Sequence, residues 1–329
     1  MSLNKYQIPV IISLRGLSAT AVCFYHFICT TIGFIDNERV LSVFHYGKFG
    51  VNLFFIISGV VIPISMISGD YKLSRWISFL GKRIIRIEPP YIAAILIGII
   101  YLYARNFIPG SNPADLTPSV INVILHLGYL IPFFENQTWI NPVFWTLAIE
   151  FQYYLVMSLL FPLALHKKLM LRILFYMIFI IPVFFKTPSD LFPYWSIYFL
   201  FGILYALFFT QKIGLSEYLI ASITTLILIS IYMGTLNAGI AFSGIAIIHF
   251  FRNFSWKPGN FIGNISYSLY LLHSIIGAAF VNFFSHRAES SVEKILVIIS
   301  GYLISVLAAY AMYRIIERPS QQLSRKLFN

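Results

Sequence analysis

Residues 49–68 read FGVNLFFIISGVVIPISMIS, twenty consecutive positions without a charged side chain. Twenty residues of α-helix rise about 30 Å, which is the thickness of the hydrocarbon core of a bilayer. The stretch therefore predicts a helix that crosses a membrane. Ser58 and Gly59 lie near its middle, where small residues favour close packing against another helix and a serine hydroxyl often bonds its own backbone.

Nine further stretches have the same character, and the whole sequence is too apolar for a soluble domain. Hydrophobic residues make up 59% and charged residues 11% of the chain, whereas about 25% of a soluble domain is charged. We predict an all-α, polytopic membrane helix bundle of about ten transmembrane helices, forming one domain over residues 1–329. The other nine helices are predicted at residues 8–35, 90–107, 142–165, 169–185, 192–210, 216–234, 236–252, 261–284 and 294–315.

A shorter apolar segment, SVINVILHLGYLIPFF, occupies residues 119–134. Its sixteen residues are too few to span a membrane comfortably, and Pro118 and Pro132 flank it. We predict an interfacial or re-entrant piece inside a long loop.

The net charge of +11 comes from basic residues that lie between the apolar stretches. They do not form one stripe on a folded surface, so we expect no nucleic-acid partner. With the N-terminus inside the cell, 17 of the 23 Lys and Arg residues fall on the inner side of the membrane. The positive-inside rule then predicts that both termini are cytoplasmic.

Arg15 and His26 are ionisable residues in the first apolar stretch, where lipid makes a charge costly. They are eleven residues apart, so on one helix they share a face, with an axial rise of about 16 Å between them. One interpretation is structural, with Arg15 reaching the headgroups and His26 hydrogen-bonded in the interior. The other is that both belong to a functional site.

Glu150 lies in the sequence WTLAIEFQYY, where helical spacing places Tyr153 and Tyr154 on its face. Counted from the outer ends of the predicted helices, Glu150 and His26 fall at similar depth. A carboxylate beside an imidazole orients the ring and raises its basicity, as a general base requires. The alternative is a polar clamp between helices, with Trp145 as an interfacial anchor.

His273 is a third ionisable residue at membrane depth, three residues after Tyr270 in the sequence SYSLYLLH. The sequence does not decide whether it shares the site of His26 or is a hydrogen-bonded core residue. We expect no metal, because the sequence has no zinc-type Cys/His spacing and no Walker A loop.

The loop at residues 69–90 combines five basic residues with an amphipathic pattern that is predicted to end at Pro89 and Pro90. Composition favours a surface helix that binds anionic lipid headgroups. The other interpretation is that three of these residues, with Arg15 nearby, bind the phosphates of a nucleotide-type cofactor. Those three are Lys82, Arg83 and Arg86.

Six motifs, in order along almost the whole chain, resemble acyltransferase family 3. Its members are integral-membrane acyltransferases that O-acylate bacterial surface polysaccharides, lipid-linked sugars and some small molecules. One departure is Glu88, where members often have an aromatic residue. The motifs are Arg15 with His26 in R-x10-H spacing, FFIISG at 54–59, KRIIRIEPPY at 82–91, WTLAIEFQYY at 145–154, SYSLYLLH at 266–273 and ERP at 317–319.

The resemblance implies a multi-pass enzyme of the inner (plasma) membrane that takes an acyl group, usually acetyl, from acyl-CoA bound on the cytoplasmic side. It implies a carbohydrate or lipid-linked sugar as the acceptor, often presented at the outer face, and essential roles for Arg15 and His26. CoA phosphates would then lie at the basic loop and Arg15.

We hypothesise that His26, supported by Glu150 or another partner, deprotonates the acceptor hydroxyl or carries the acyl group transiently. Further candidates for contacting the substrate or the oxyanion are Asn52, Ser58, Tyr153, Tyr154 and His273. A transporter or flippase for an anionic or glycolipid substrate is the alternative, although the sequence has no inverted repeat.

Overall fold

The computed structural model describes residues 6–107 and 117–327. Every regular element in these ranges is a helix and none is a β-strand, which confirms the all-α prediction. The first six α-helices are α1 (Val10–Cys29), α2 (Glu38–His45), α3 (Gly50–Ser68), α4 (Trp76–Arg105), α5 (Val120–Leu127) and α6 (Trp145–Ala164). The others are α7 (Leu169–Ile180), α8 (Phe192–Phe209), α9 (Leu215–Met233), α10 (Thr235–Phe250), α11 (Lys257–Asn264), α12 (Ser266–Leu272), α13 (Ala279–Ser285), α14 (Ser291–Met312) and α15 (Arg318–Leu327).

Eight helical stretches of the described chain are long and apolar enough to cross a membrane. Two shorter apolar helices, Leu169–Phe184 and Thr235–Phe250, occupy two more of the predicted positions. All ten predicted positions therefore contain an apolar helix, and the chain is a polytopic helical membrane protein. The cytoplasmic location of the two termini stays a prediction.

The chain divides into two compact units, and each draws on three separate segments. The first unit comprises Met1–Ser18, Phe49–Leu80 and Ile149–Gly263. The second unit comprises Ala19–Lys48, Gly81–Ala148 and Asn264–Asn329. A single domain over the whole chain remains a prediction.

Close packing of α3 against α8 organises the first unit, and it depends on two glycines. A Cβ added to Gly59 would lie 2.3 Å from the backbone oxygen of Phe199. One added to Gly202 would lie 2.2 Å from the backbone oxygen of Ile56. The helix backbones thus meet where neither position has a side chain, which confirms the packing role predicted for Gly59.

The helix α4 runs through Pro89 and Pro90, so the prediction that the amphipathic segment ends there is wrong. Proline removes a backbone donor, yet transmembrane helices tolerate it where neighbouring groups satisfy the backbone. The two prolines leave the carbonyls of Ile85 and Arg86 without their helical donors. In the same turn, the hydroxyl of Tyr267 donates to the carbonyl of Ile87 at 2.9 Å. Three of the five basic residues of the predicted loop, Lys82, Arg83 and Arg86, are therefore part of the same helix as the following span.

The first helix is shorter than predicted, because it ends at Cys29 instead of residue 35. The Thr30 hydroxyl donates to the backbone oxygen of His26 at 2.7 Å and so satisfies a carbonyl of the last turn. Gly33 follows with a φ of 69°, a conformation that glycine adopts without strain. His26 accordingly lies in the final turn of α1.

The segment 119–134 forms α5 and a short 3₁₀ turn, Ile131–Phe133. It packs against the middle of α4, where the Tyr91 hydroxyl donates to the backbone oxygen of His126 at 3.2 Å. The ring of Tyr91 also stacks on that of Tyr129, with the centroids 5.0 Å apart. The segment therefore folds against α4, and the choice between an interfacial and a re-entrant piece stays a prediction.

Candidate active site

Two histidines meet in the second unit, one from α1 and one from the turn that follows α12. Nε2 of His273 lies 3.2 Å from Nδ1 of His26, and the ring centroids are 5.0 Å apart. His273 is fully buried and His26 half-buried. The structure thus supports a shared site for these residues, one of the two possibilities that the sequence left open for His273.

The hydrogen bonds of the pair assign its protons when both rings are neutral. Nδ1 of His273 lies 2.8 Å from the carbonyl oxygen of Tyr270 and 3.2 Å from that of Leu269, so this nitrogen must carry hydrogen. Nε2 of His273 is then an acceptor, and Nδ1 of His26 donates to it or to the Val22 carbonyl, 3.0 Å away. The remaining nitrogen of His26, Nε2, therefore has a lone pair.

A π-helical turn, His273–Ala278, positions the buried histidine. Such turns insert an extra residue into an α-helix and are frequent at functional sites. Gly277 completes the turn, since a Cβ there would lie 2.1 Å from Oγ of Ser305 and 2.5 Å from the ring of Phe27. The glycine lets this turn approach both α1 and α14.

A buried carboxylate anchors the start of α12, and its role was missed in the sequence. Glu317, 3% exposed, accepts from the hydroxyl of Ser268 at 2.5 Å and from its backbone N–H at 3.3 Å. Its other oxygen accepts from Gln321 at 2.9 Å. A carboxylate at a helix N-terminus is favoured by the helix dipole. Glu317 and Ser268 both lie in motifs quoted above, which is the signal that pointed to them.

Glu150 forms a separate polar cluster in the first unit. Its Oε1 accepts from the Ser58 hydroxyl at 3.1 Å and from the Tyr154 hydroxyl at 2.5 Å. Ser58 therefore bonds Glu150 instead of its own backbone, and Tyr154 is the neighbour that the helical spacing predicted. A contact of Glu150 with His26, which belongs to the other unit, stays a prediction.

The remaining oxyanion candidates of the first unit donate elsewhere. The Asn52 amide donates to Oδ1 of Asn237 at 2.8 Å, and Tyr198 donates to the same oxygen at 3.0 Å. Tyr153 is fully buried, stacks on Phe199 at 4.2 Å and approaches the Ser58 carbonyl at 3.5 Å. Within this unit, Asn52 and Tyr153 make structural contacts. To bind a substrate, each side chain has to give up its present hydrogen-bond partner.

Arg15 lies on α1 where this helix meets α11. Two glycines permit the contact. A Cβ added to Gly263 would lie 1.9 Å from the backbone oxygen of Ile12 on α1, and one added to Gly16 would lie 2.6 Å from the backbone oxygen of Gly259 on α11. The Ser13 hydroxyl donates to Oδ1 of Asn260 at 2.6 Å. These contacts fix the part of α1 that carries Arg15.

The three predicted phosphate-binding residues lie in the N-terminal half of α4, in the second unit. Arg83 is 7% exposed, and Lys82 and Arg86 are half-buried. Lys82 and Arg86 are four residues apart and share a helix face. Among the described residues there is no group of three or more His, Cys, Asp or Glu that could hold a metal ion.

Comparisons with known proteins agree with the motifs. The curated relatives include O-acetyltransferase OatA of Staphylococcus aureus strains NCTC 8325 / PS 47, COL and MRSA252, each 26% identical over 370 residues. These alignments cover 98% of this chain and 58% of each relative, so the chain spans less than two thirds of the relatives' length. No solved structure matches.

The profile of the family, described as an acyltransferase domain, matches residues 8–314. The match extends from α1 into the end of α14 and the turn that follows. It includes both histidines of the pair and the basic part of α4. The chain belongs to acyltransferase family 3.

Proposed function

We propose that the protein is a membrane O-acetyltransferase that moves an acetyl group from acetyl-CoA to a hydroxyl of a sugar or polysaccharide precursor. The name of the relatives, O-acetyltransferase, supports the transferred group and the oxygen acceptor. The observation that carries the proposal is the His26–His273 pair, whose hydrogen bonds leave Nε2 of His26 with a lone pair.

Nε2 of His26 serves the reaction in one of two ways. In direct transfer, the acceptor oxygen attacks the thioester carbon while its proton passes to Nε2. The C–S bond then breaks, and the proton moves on to the thiolate of CoA. His273 holds the ring and shares the positive charge that develops on it.

In the covalent route, Nε2 attacks the thioester carbon, the C–S bond breaks, and His26 carries the acetyl group. The acceptor oxygen then attacks this group, the N–C bond breaks, and the hydroxyl proton ends on the thiolate of CoA. The Nδ1 hydrogen of His26, shared with Nε2 of His273, stabilises the acylated ring in this route.

The donor phosphates bind Lys82, Arg83 and Arg86 on α4. Phosphate oxygens accept short, charge-assisted hydrogen bonds from such cations, and arginine offers two parallel donors. The predicted roles of Arg15 and Glu150 in the same reaction are retained as part of the proposal. The proposed location is the inner (plasma) membrane, with the basic end of α4 on the cytoplasmic side.

The test is acetyl transfer by the purified protein in detergent, from labelled acetyl-CoA to an envelope glycan fraction. A detergent micelle has no membrane gradient, so label in the glycan distinguishes an acyltransferase from a transporter or flippase. Mass spectrometry of the envelope glycans of cells with and without the gene then identifies the acceptor by a difference of one acetyl mass. Absence of both signals contradicts the proposed activity.

A further inference from the structure

A short helix, α2, is docked on the C-terminal end of α1 within the second unit. The rings of Phe24 and Phe44 meet there, with their centroids 5.9 Å apart. The turn after α2 also approaches α1 closely, because a Cβ added to Gly47 would lie 2.3 Å from the backbone oxygen of Ala21. No residue of α2 is buried. The packing therefore fixes a partly exposed helix beside the end of α1 that carries His26.

This docking extends the histidine pair into a chain of aromatic contacts that leads to the surface. The centroid of the Tyr25 ring lies 5.0 Å from that of His26 and 5.7 Å from that of His45. Tyr25 and His26 are half-buried, and His45 is exposed. If the N-terminus is cytoplasmic, as predicted, this end of α1 faces the outer side of the membrane, where the acceptor is expected.

Each of the three rings has one polar atom without a hydrogen-bond partner in the part of the chain that the structure describes. These atoms are Nε2 of His26, the hydroxyl of Tyr25 and Nδ1 of His45. Nε2 of His45 lies 2.7 Å from the ammonium of Lys48, which can only donate, so Nδ1 of the neutral His45 ring carries hydrogen. Neither Nε2 of His26 nor the Tyr25 hydroxyl belongs to the fully buried polar atoms, so both retain some exposure.

The three atoms match the neighbouring hydroxyls of a sugar. A hydroxyl donates one hydrogen bond and accepts others, so one sugar hydroxyl can donate to the lone pair of His26. A second can bond the Tyr25 hydroxyl and accept from Nδ1 of His45. An ionised carboxylate only accepts, and the lone pair of His26 would repel it, so an anion fits less well. Tyrosine also offers a rigid apolar surface with a polar end, which suits a ligand with both C–H and O–H groups.

We propose that Tyr25 and His45 form the acceptor subsite, and that they bind a sugar through a hydroxyl next to the one that reacts. The reacting hydroxyl is thereby held beside Nε2 of His26, as transfer requires. The inference rests on the proposed function, which makes His26 the residue that receives the proton or carries the acetyl group. It adds the residues that bind the acceptor, whereas the basic residues of α4 are proposed for the donor.

The test measures the KM for envelope glycans and the KM for acetyl-CoA separately, with the purified full-length protein in detergent. Tyr25→Phe removes only a hydroxyl, and we expect the KM for the glycans to rise about three- to tenfold, as for the loss of a neutral hydrogen bond. The KM for acetyl-CoA should stay within about twofold of the wild type. His45→Ala should show the same pattern, and the double variant a larger rise. Tyr103→Phe and His286→Ala change exposed side chains elsewhere and should match the wild type.

An unchanged KM for the glycans in Tyr25→Phe or in His45→Ala overturns the inference. An equal rise in the KM values of both substrates also overturns it, because the change is then not confined to the acceptor. A fall in kcat alone assigns Tyr25 to the orientation of His26 and contradicts the acceptor subsite. A wild-type protein that transfers no acetyl group contradicts the proposed function itself, and the inference fails with it. Melting temperatures confirm that the variants are folded.

Discussion

Nε2 of His273 and Nδ1 of His26 are 3.2 Å apart, although 247 residues separate them in the chain. Nδ1 of His273 faces carbonyl oxygens and carries hydrogen, so its Nε2 is an acceptor, and this acceptor faces His26. The arrangement resembles a base held in orientation by a second residue behind it, a common feature of enzymes that activate hydroxyl groups or attack acyl carbons.

The first prediction concerns His273, which positions His26 and is not placed against the substrate. His273→Phe removes one of the two acceptors near Nδ1 of His26 and leaves the Val22 carbonyl. We expect kcat to fall about 10- to 100-fold, as when an orienting partner is lost. The KM for acetyl-CoA should change little. His273→Gln can present an oxygen near the position of Nε2 and should retain more activity than His273→Phe. Equal losses in the two variants, or none, contradict the positioning role.

The second prediction compares the neighbouring tyrosines of α6. Tyr154 donates to a carboxylate oxygen of Glu150 at 2.5 Å, and Tyr153 approaches the backbone carbonyl of Ser58 at 3.5 Å. Tyr154→Phe should therefore lower the free energy of unfolding by about 1–3 kcal/mol, and Tyr153→Phe by less than about 1 kcal/mol. Thermal melting in detergent measures both. The same shift in both variants argues against the cluster around Glu150.

The third prediction tests the close contact of α1 with α11. Gly263→Ala places a Cβ 1.9 Å from a backbone oxygen of α1, which cannot move without shifting the helix that carries Arg15. We expect a clear loss of stability, about 1–3 kcal/mol or more. Gly239→Ala is the matched control in α10, because the added Cβ meets no described atom of another part of the chain within 4 Å. This variant should be neutral or stabilising by up to about 1 kcal/mol. Similar melting temperatures for the two variants contradict the contact.

The fourth prediction is that the stability of the folded protein depends on pH through His126, in the segment 119–134. Burial lowers the pKa of His126 below its usual 6.5, and the Asn122 carbonyl, 2.8 Å from Nδ1, offsets part of this shift. Nε2 of the neutral ring accepts from the Ile140 N–H at 3.0 Å. The unfolded chain then binds the proton more readily than the folded protein. The stabilising effect is complete above pH 6.5 and is lost as the pH falls below this value.

Melting temperatures between pH 5 and pH 8 measure this effect. His126→Gln cannot titrate, so its melting temperature should fall less on acidification than that of the wild type. If the melting temperatures of the two proteins change equally with pH, the titration of His126 does not contribute to the pH dependence of stability.

The sequence predicted the positions of the helices and several residues of the candidate site. Lipid tolerates few polar groups, so each ionisable residue in an apolar stretch stands out, as His26, Glu150 and His273 do. Their partners were harder to predict. Ser58 lies 92 residues before Glu150, and no spacing rule relates positions on different helices.

Helix ends and proline sites were the other difficulty. The helix α4 continues through Pro89 and Pro90, and beside them it is contacted by Tyr267, which is 180 residues from Ile87 in sequence. The anchoring role of Glu317 likewise depends on a contact with Ser268. Tertiary packing supplies these interactions, and local sequence does not encode them.

The most direct measurement is the initial rate of acetyl transfer from labelled acetyl-CoA by His26→Ala, compared with His286→Ala. His286 is an exposed histidine outside the pair and controls for the loss of an imidazole. If Nε2 of His26 is the base or the acyl carrier, the rate of His26→Ala falls at least about 100-fold while His286→Ala matches the wild type. A folded His26→Ala protein that transfers acetyl groups at the wild-type rate contradicts the proposed mechanism.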